Sequence, residues 1–122
     1  MRRPFKISGV GAYLPKNRVL SSDLEKELLL PEGWIAKYTG VTSRPIATFE
    51  SNRFMAGEAI ANALKDARLT LSDISCLISA SATYDSPLPN NASRIKAELP
   101  DSGNLGFPCI DMDVTCLSFV AA

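Results

Sequence analysis

One long amphipathic stretch followed by a short apolar run constrains the fold of this chain more than any other feature. Residues 51–67 predict a helix, because apolar side chains recur at four-residue steps. These side chains are mostly small and suit close packing on a sheet: Met55, Ala59, Ala63 and Ala67. Residues 76–80 form an apolar run of strand length. A helix followed by an apolar strand is typical of an α/β unit with a buried parallel strand.

The remaining elements follow from turn and capping residues. Further strands are predicted at residues 6–10, 41–47 and 107–114. Further helices are predicted at residues 21–29, 34–38, 92–99 and 115–122, the first with a side-chain N-cap among Ser21, Ser22 and Asp23. The last helix is apolar and has no capping glycine, which indicates a part of a larger fold.

Composition excludes several classes of function. A length of 122 residues allows one domain. The 13 basic and 13 acidic residues cancel, which argues against binding of nucleic acid or anionic lipid through a broad charged surface. The chain has no histidine, so no Cys-His dyad and no imidazole ligand can come from it, and no metal site is predicted.

The cysteines and the N-terminus indicate a compartment. The spacings of Cys76, Cys109 and Cys116 fit neither a disulfide framework nor a CxxC metal motif. No signal peptide is predicted, and no apolar stretch reaches the roughly 18 residues that a membrane span needs. We therefore expect a cytoplasmic protein with reduced cysteines and no membrane span.

Cys116 is the candidate nucleophile, because it lies where a predicted strand gives way to a predicted helix. The positive end of the helix dipole and the unpaired backbone N–H groups there favour a thiolate. Such a junction serves acyl transfer, since the nucleophile's own N–H can help hold an oxyanion. Asp111 and Asp113 would oppose the thiolate if they lay close to the sulfur. The alternative for Cys116 is that of a small buried hydrophobic residue, and this interpretation is the one kept for Cys76 and Cys109.

Four segments point to a known family by their order. They are residues 7–15 (ISGVGAYLP) with residues 23–25 (DLE), residues 34–44 (WIAKYTGVTSR), residues 77–83 with residues 88–89 and the following helix, and residues 111–116 (DMDVTC). The second resembles a W-I-x-x-x-T-G-[IV]-x-x-R motif, and the last resembles a D-V-x-x-x-C motif. Together they resemble the opening of the 3-oxoacyl-(acyl-carrier-protein) synthase III family, of the thiolase-like superfamily.

The resemblance implies both a fold and an assembly. Residues 1–122 would form an α/β structure, the incomplete N-terminal half of a thiolase-like αβαβα sandwich that ends just after the nucleophile. The C-terminal half is absent from this sequence. In the family, two such halves pack together and the subunits dimerise through this half, which implies a homodimer.

The resemblance also implies a condensing acyltransferase of fatty-acid or related polyketide synthesis. Cys116 would accept an acyl group from acyl-coenzyme A or an acyl carrier protein, as substrates rather than bound cofactors. Malonyl carried by acyl carrier protein would then lose carbon dioxide and attack the acyl group. The family's catalytic histidine and asparagine lie in the second half, so this chain alone is expected to be inactive. The alternative is a non-catalytic or truncated subunit that associates with a complete synthase.

The resemblance implies two further candidate residues, both for substrate binding. The resemblance implies that Trp34 stacks on the adenine of coenzyme A, and the alternative is a core or interface aromatic. Leu88 stands where the family often has phenylalanine, in a loop that reaches the partner's acyl pocket, and its smaller side chain would admit a longer primer. Tyr38 replaces a phosphate-binding arginine, and Leu117 and Ser118 replace a small residue and a glycine.

Overall fold

The computed structural model describes residues 6–122, which divide into two units. The smaller unit, Leu14–Glu50, contains the following elements: β1 (Arg18–Leu20), α1 (Ser21–Glu27), α2 (Trp34–Thr39) and β2 (Ser43–Pro45). The larger unit consists of the segment up to Tyr13 and Ser51–Ala122. Its elements are α3 (Asn52–Ala67), β3 (Leu77–Ala80), α4 (Asn91–Glu98), β4 (Cys109–Met112) and α5 (Ser118–Ala121), with 3-10 turns at Leu71–Asp73, Ser102–Asn104 and Thr115–Leu117.

The smaller unit is a two-stranded antiparallel sheet with two short helices. Strand β1 pairs with β2, and α1 begins at the residue after β1. The predicted side-chain N-cap of α1 is wrong. The Ser21 hydroxyl instead donates to the carbonyl of Val41 at 2.6 Å, so it ties the helix start to the chain beside β2. The helix ends at Glu27, earlier than predicted, and Leu29 has a left-handed φ of 55°. Helix α2 ends at Thr39, one residue beyond its predicted end, and Gly40 caps it at a left-handed φ of 70°.

Helix α3 confirms the clearest sequence prediction. Ser51 caps its start, because the hydroxyl oxygen accepts the N–H of Phe54 at 3.2 Å. The helix ends at Ala67, and Arg68 takes the left-handed conformation of a C-cap. The predicted boundaries at both ends are therefore correct to within one residue.

Residues 6–10 form no strand, contrary to prediction, and Gly9 and Gly11 lie close to α3 instead. A Cβ atom at Gly11 would come within 2.2 Å of the Ala59 carbonyl oxygen, so the backbone at Gly11 lies too close to α3 for any side chain. The Val10 N–H donates to the Asp66 carboxylate of α3 at 2.9 Å. The Val10 N–H is thus hydrogen-bonded to a helix side chain rather than to a neighbouring strand.

The larger unit contains the predicted α/β arrangement. Strand β3 pairs with β4 in parallel, with Leu77 opposite Cys109 and Ala80 opposite Met112. Helix α4 packs against both strands and against α3. Its buried side chains form the core of this unit, where Ala92, Ile95 and Leu99 are nearly inaccessible to solvent. Among residues 6–122, every helix is too short or too polar to cross a bilayer.

Candidate active site at the carboxyl edge of the parallel strands

Two segments leave the parallel strands at the same edge. Strand β3 ends at Ala80 and β4 ends at Met112, and the Ser81 N–H donates to the Met112 carbonyl at 3.2 Å. Residues 81–90 continue from the first strand, and the Thr115–Leu117 turn follows the second. Ligands of open α/β sheets bind at the carboxyl ends of strands. This edge is therefore the candidate active site of the larger unit.

Cys116 lies at the predicted junction of strand and helix. It occupies the 3-10 turn between β4 and α5, and its side chain is exposed. A buried hydrophobic role does not describe it, because the thiol is open to solvent. The same interpretation is wrong for Cys76, which is also exposed, whereas Cys109 is half-buried.

The backbone beside Cys116 is strained and closely held. Thr115 has a φ of 50°, a conformation that a β-branched residue rarely adopts. Its N–H donates to the Asp113 carboxylate at 3.1 Å, and its carbonyl accepts the Ser118 hydroxyl at 2.8 Å. The Ser118 oxygen also accepts the Val114 N–H at 2.9 Å. These contacts close a sharp turn that presents Cys116, and strain of this kind concentrates at functional sites.

The two acidic residues before Cys116 both bind backbone N–H groups. The Asp111 carboxylate accepts the N–H groups of Asn91 and Ala92, each at 2.7 Å, at the start of α4. Asp113 accepts the N–H of Thr115. No sequence pattern indicated that Asp111 caps α4, because that contact joins residues about twenty positions apart.

Leu88 lies in the loop between β3 and α4 and is 83% exposed. The base of the loop is tethered, since the Asp85 carboxylate accepts the N–H groups of Asn52 and Arg53 at 3.2 and 3.4 Å. The Ser86 hydroxyl donates to the Leu88 carbonyl at 3.1 Å. The loop thus holds an apolar side chain in solvent at the same edge of the sheet that leads to Cys116.

A buried amide lies beneath this edge. Asn91 is 2% exposed, and its Nδ2 donates to the Ser79 hydroxyl at 2.9 Å and to the side-chain Oδ1 of Asn52 at 3.4 Å. These bonds join α4, β3 and α3. Nothing in the sequence singled out Asn91 except the adjacent pair Asn90 and Asn91 at the start of α4.

The smaller unit carries the other predicted binding residue, Trp34. It begins α2 and is 40% exposed, and its ring centroid lies 4.9 Å from that of Tyr38 at a 47° tilt. The Lys37 ammonium lies 5.3 Å from the centroid of the Tyr38 ring. Trp34 is therefore a partly exposed surface aromatic that contacts Tyr38, not a core residue. Among residues 6–122, no three acidic or cysteine side chains gather closely enough to hold a metal ion.

Comparison with solved structures gives the class of fold. A 3-oxoacyl-(acyl-carrier-protein) synthase III from Aquifex aeolicus VF5 matches with a TM-score of 0.87 and 33% identity, covering 96% of this chain and 37% of that one. A priming β-ketosynthase of the R1128 polyketide pathway matches with a TM-score of 0.74 and 26% identity, covering 90% of this chain and 34% of that one. The fold is the incomplete N-terminal half of a thiolase-like αβαβα sandwich.

Comparison with curated proteins gives the names of relatives that are similar in sequence to this chain. The chain is 38% identical over 118 residues to β-ketoacyl-(acyl-carrier-protein) synthase III of Neisseria gonorrhoeae NCCP11945, covering 96% of this chain and 36% of the relative. It is 35% identical over 117 residues to the Aquifex aeolicus VF5 enzyme of that name. No family model matches. The chain spans about a third of the length of these relatives, and its predicted resemblance to the N-terminal portion of synthase III is confirmed.

Proposed function

We propose that this chain is the nucleophile-bearing portion of a condensing acyltransferase of fatty-acid or related polyketide synthesis. The observation that carries the proposal is an exposed Cys116 on a strained turn between a parallel strand and a helix. The relatives support it, because proteins similar over 96% of this chain are named as synthases. The proposed compartment is the cytoplasm.

In the first step, the Cys116 thiolate attacks the carbonyl of an acyl thioester on coenzyme A or acyl carrier protein. A new carbon–sulfur bond forms, and the donor thiol leaves. The N–H of Cys116 would contribute one hydrogen bond to the oxyanion. In the second step, malonyl on acyl carrier protein loses carbon dioxide, and the carbanion displaces the Cys116 sulfur to give a 3-oxoacyl product. This chain has no histidine, so we assign that step to residues outside it.

Two exposed apolar side chains are proposed to select the substrate. Trp34 would stack its open indole face on the adenine of coenzyme A. Leu88 would extend into the acyl pocket of the other subunit of a homodimer. The Leu88→Phe variant of the complete enzyme tests this role, because a larger ring should shorten the acyl chains accepted. An unchanged acyl-chain profile would remove Leu88 from the site.

The decisive experiment is covalent labelling. The chain is mixed with acetyl-coenzyme A, and its intact mass is measured. The complete condensation is not expected of this chain alone, but the first step needs only the Cys116 thiolate and an oxyanion donor. We therefore expect a gain of one acetyl group that is lost in Cys116→Ala and kept in Cys76→Ala. Cys76 is a matched control, because both thiols are exposed and only Cys116 lies on the strained turn. A mass gain that is lost in Cys76→Ala and kept in Cys116→Ala would show non-specific acetyl transfer and contradict the proposal.

The alternative is a non-catalytic subunit that associates with a complete synthase. The exposed apolar surface of α5 favours it, since Phe119 and Val120 are 81% and 80% exposed. In that case the chain gains no acetyl group and is recovered together with a complete synthase.

A further inference from the structure

Glu25 is a buried carboxylate whose two oxygens both bind the start of another helix. It lies on α1 and is 3% exposed. One oxygen accepts the Gly33 N–H at 2.9 Å, and the other accepts the Ile35 N–H at 2.7 Å. The described residues include no salt bridge to Glu25. The negative charge of the buried carboxylate is therefore stabilised by two backbone N–H groups at the start of α2 rather than by a cation.

Helix α2 needs a cap from elsewhere in the chain. The N–H groups of a first helical turn have no carbonyl partner within the helix. The N-cap of α2 is Gly33, at a φ of 77°, which has no side chain to supply one. A helix of six residues is also too short to be stable alone. Glu25 thus satisfies two donors that α2 cannot satisfy itself.

The two bonds surround the residue that the proposed function assigns to ligand binding. Trp34 lies between Gly33 and Ile35, and Tyr38 follows one turn later against the indole ring. Ile35 is 6% exposed and anchors the other face of the helix. A change in the position of either amide would therefore rotate the indole.

We propose that Glu25 is the positioning residue for the Trp34–Tyr38 aromatic pair. It acts through the backbone of α2 and does not touch the ligand. The ligand class, a nucleotide thioester with a flat base, rests on the proposed function. The same contact places a carboxylate at the positive end of the α2 dipole, so the phosphates of such a ligand bind away from that end.

The single tryptophan of the chain makes the test direct. In Glu25→Gln, one acceptor becomes a donor that repels a backbone N–H. We expect acrylamide quenching of Trp34 fluorescence to rise about twofold, since the indole is 40% exposed in the intact unit and a released indole approaches full exposure. Coenzyme A affinity, followed by the same fluorescence, should fall about tenfold, the equivalent of one lost hydrogen bond. The maximal extent of Cys116 acylation should not change.

Glu27→Gln is the matched control, because it removes the same charge from an exposed position of α1. It should leave quenching and affinity unchanged. Quenching in Glu25→Gln equal to that of the wild type would overturn the proposal. A rise in quenching with no binding of coenzyme A by the wild type would support the positioning role and contradict the proposed ligand.

A second measurement uses the wild-type chain and so does not depend on the folding of a variant. Amide hydrogen exchange of Gly33 and Ile35 should be slowed, because Glu25 is the acceptor for both. Exchange as fast as that of the exposed Gly103 would show that the contact is absent and would overturn the proposal.

Discussion

Thr115 is the residue at which local backbone preference and site geometry conflict. Its φ of 50° places a β-branched side chain in the left-handed region, at a cost of about 1–2 kcal/mol. We predict that Thr115→Gly raises the free energy of unfolding by about 1 kcal/mol, measured by urea denaturation. Thr42→Gly is the control and should lower it, because Thr42 has no such strain. Similar losses in both variants would show that the turn is relaxed.

Gly11 is the residue at which the chain tolerates no side chain. A Cβ atom there would lie 2.2 Å from the Ala59 carbonyl oxygen and 2.3 Å from the Ala63 nitrogen, both backbone atoms that cannot turn aside. We predict that Gly11→Ala lowers the free energy of unfolding by about 2–3 kcal/mol. Gly103→Ala should have little effect, since no atom lies within 4 Å of its Cβ position. An equal response of the two variants would mean that residues 6–13 do not rest on α3.

At the scale of elements, Asp111 joins β4 to α4. Its carboxylate accepts two N–H groups at the start of the helix, each at 2.7 Å. We predict that Asp111→Asn lowers the free energy of unfolding by about 1–2 kcal/mol, because the amide keeps only one acceptor. Asp101→Asn is the control, because it makes the same change of side chain elsewhere in the unit. Asparagine tolerates the left-handed φ of 60° at that position. Thermal unfolding of both variants checks this, and equal melting temperatures would refute the capping role.

The turn Leu71–Asp73 supplies a pH-dependent element. The Thr70 N–H, followed by the Thr70 hydroxyl, donates to Asp73 at 2.8 Å and lowers the pKa of that carboxyl below its ordinary value of 3.8. Because the pKa is depressed in the folded state, the stabilisation is complete above pH 3.8 and is lost as the pH falls through the lower, folded value. Carboxyl NMR titration should give a midpoint below 3.8, which Thr70→Ala moves upward. An unmoved midpoint would exclude the hydroxyl as a cause.

At the scale of the whole molecule, the exposed apolar side chains of α5 predict self-association. Phe119 and Val120 are 81% and 80% exposed, and isolated chains rarely leave such neighbouring side chains in water. We expect a sedimentation mass near twice 13.2 kDa, and a return toward one chain when both residues are changed to serine. Phe49→Ser is the control, because Phe49 is equally exposed in the smaller unit. A single-chain mass in the wild type would contradict a homodimer and would instead favour association of this surface with a complete synthase.

Elements with local signals follow from the amino-acid sequence alone. Small side chains at four-residue steps and a serine cap specify α3, and Gly40 ends α2, because periodicity and capping act within a few residues. The motif around Cys116 likewise placed the candidate nucleophile at the end of a strand. The other contacts became visible only in the folded chain. The Ser21 hydroxyl donates to the Val41 carbonyl instead of capping α1. The carboxylates of Glu25 and Asp111 cap helices that begin many residues away in sequence. Such contacts join distant parts of the chain, so they depend on packing rather than on any local pattern.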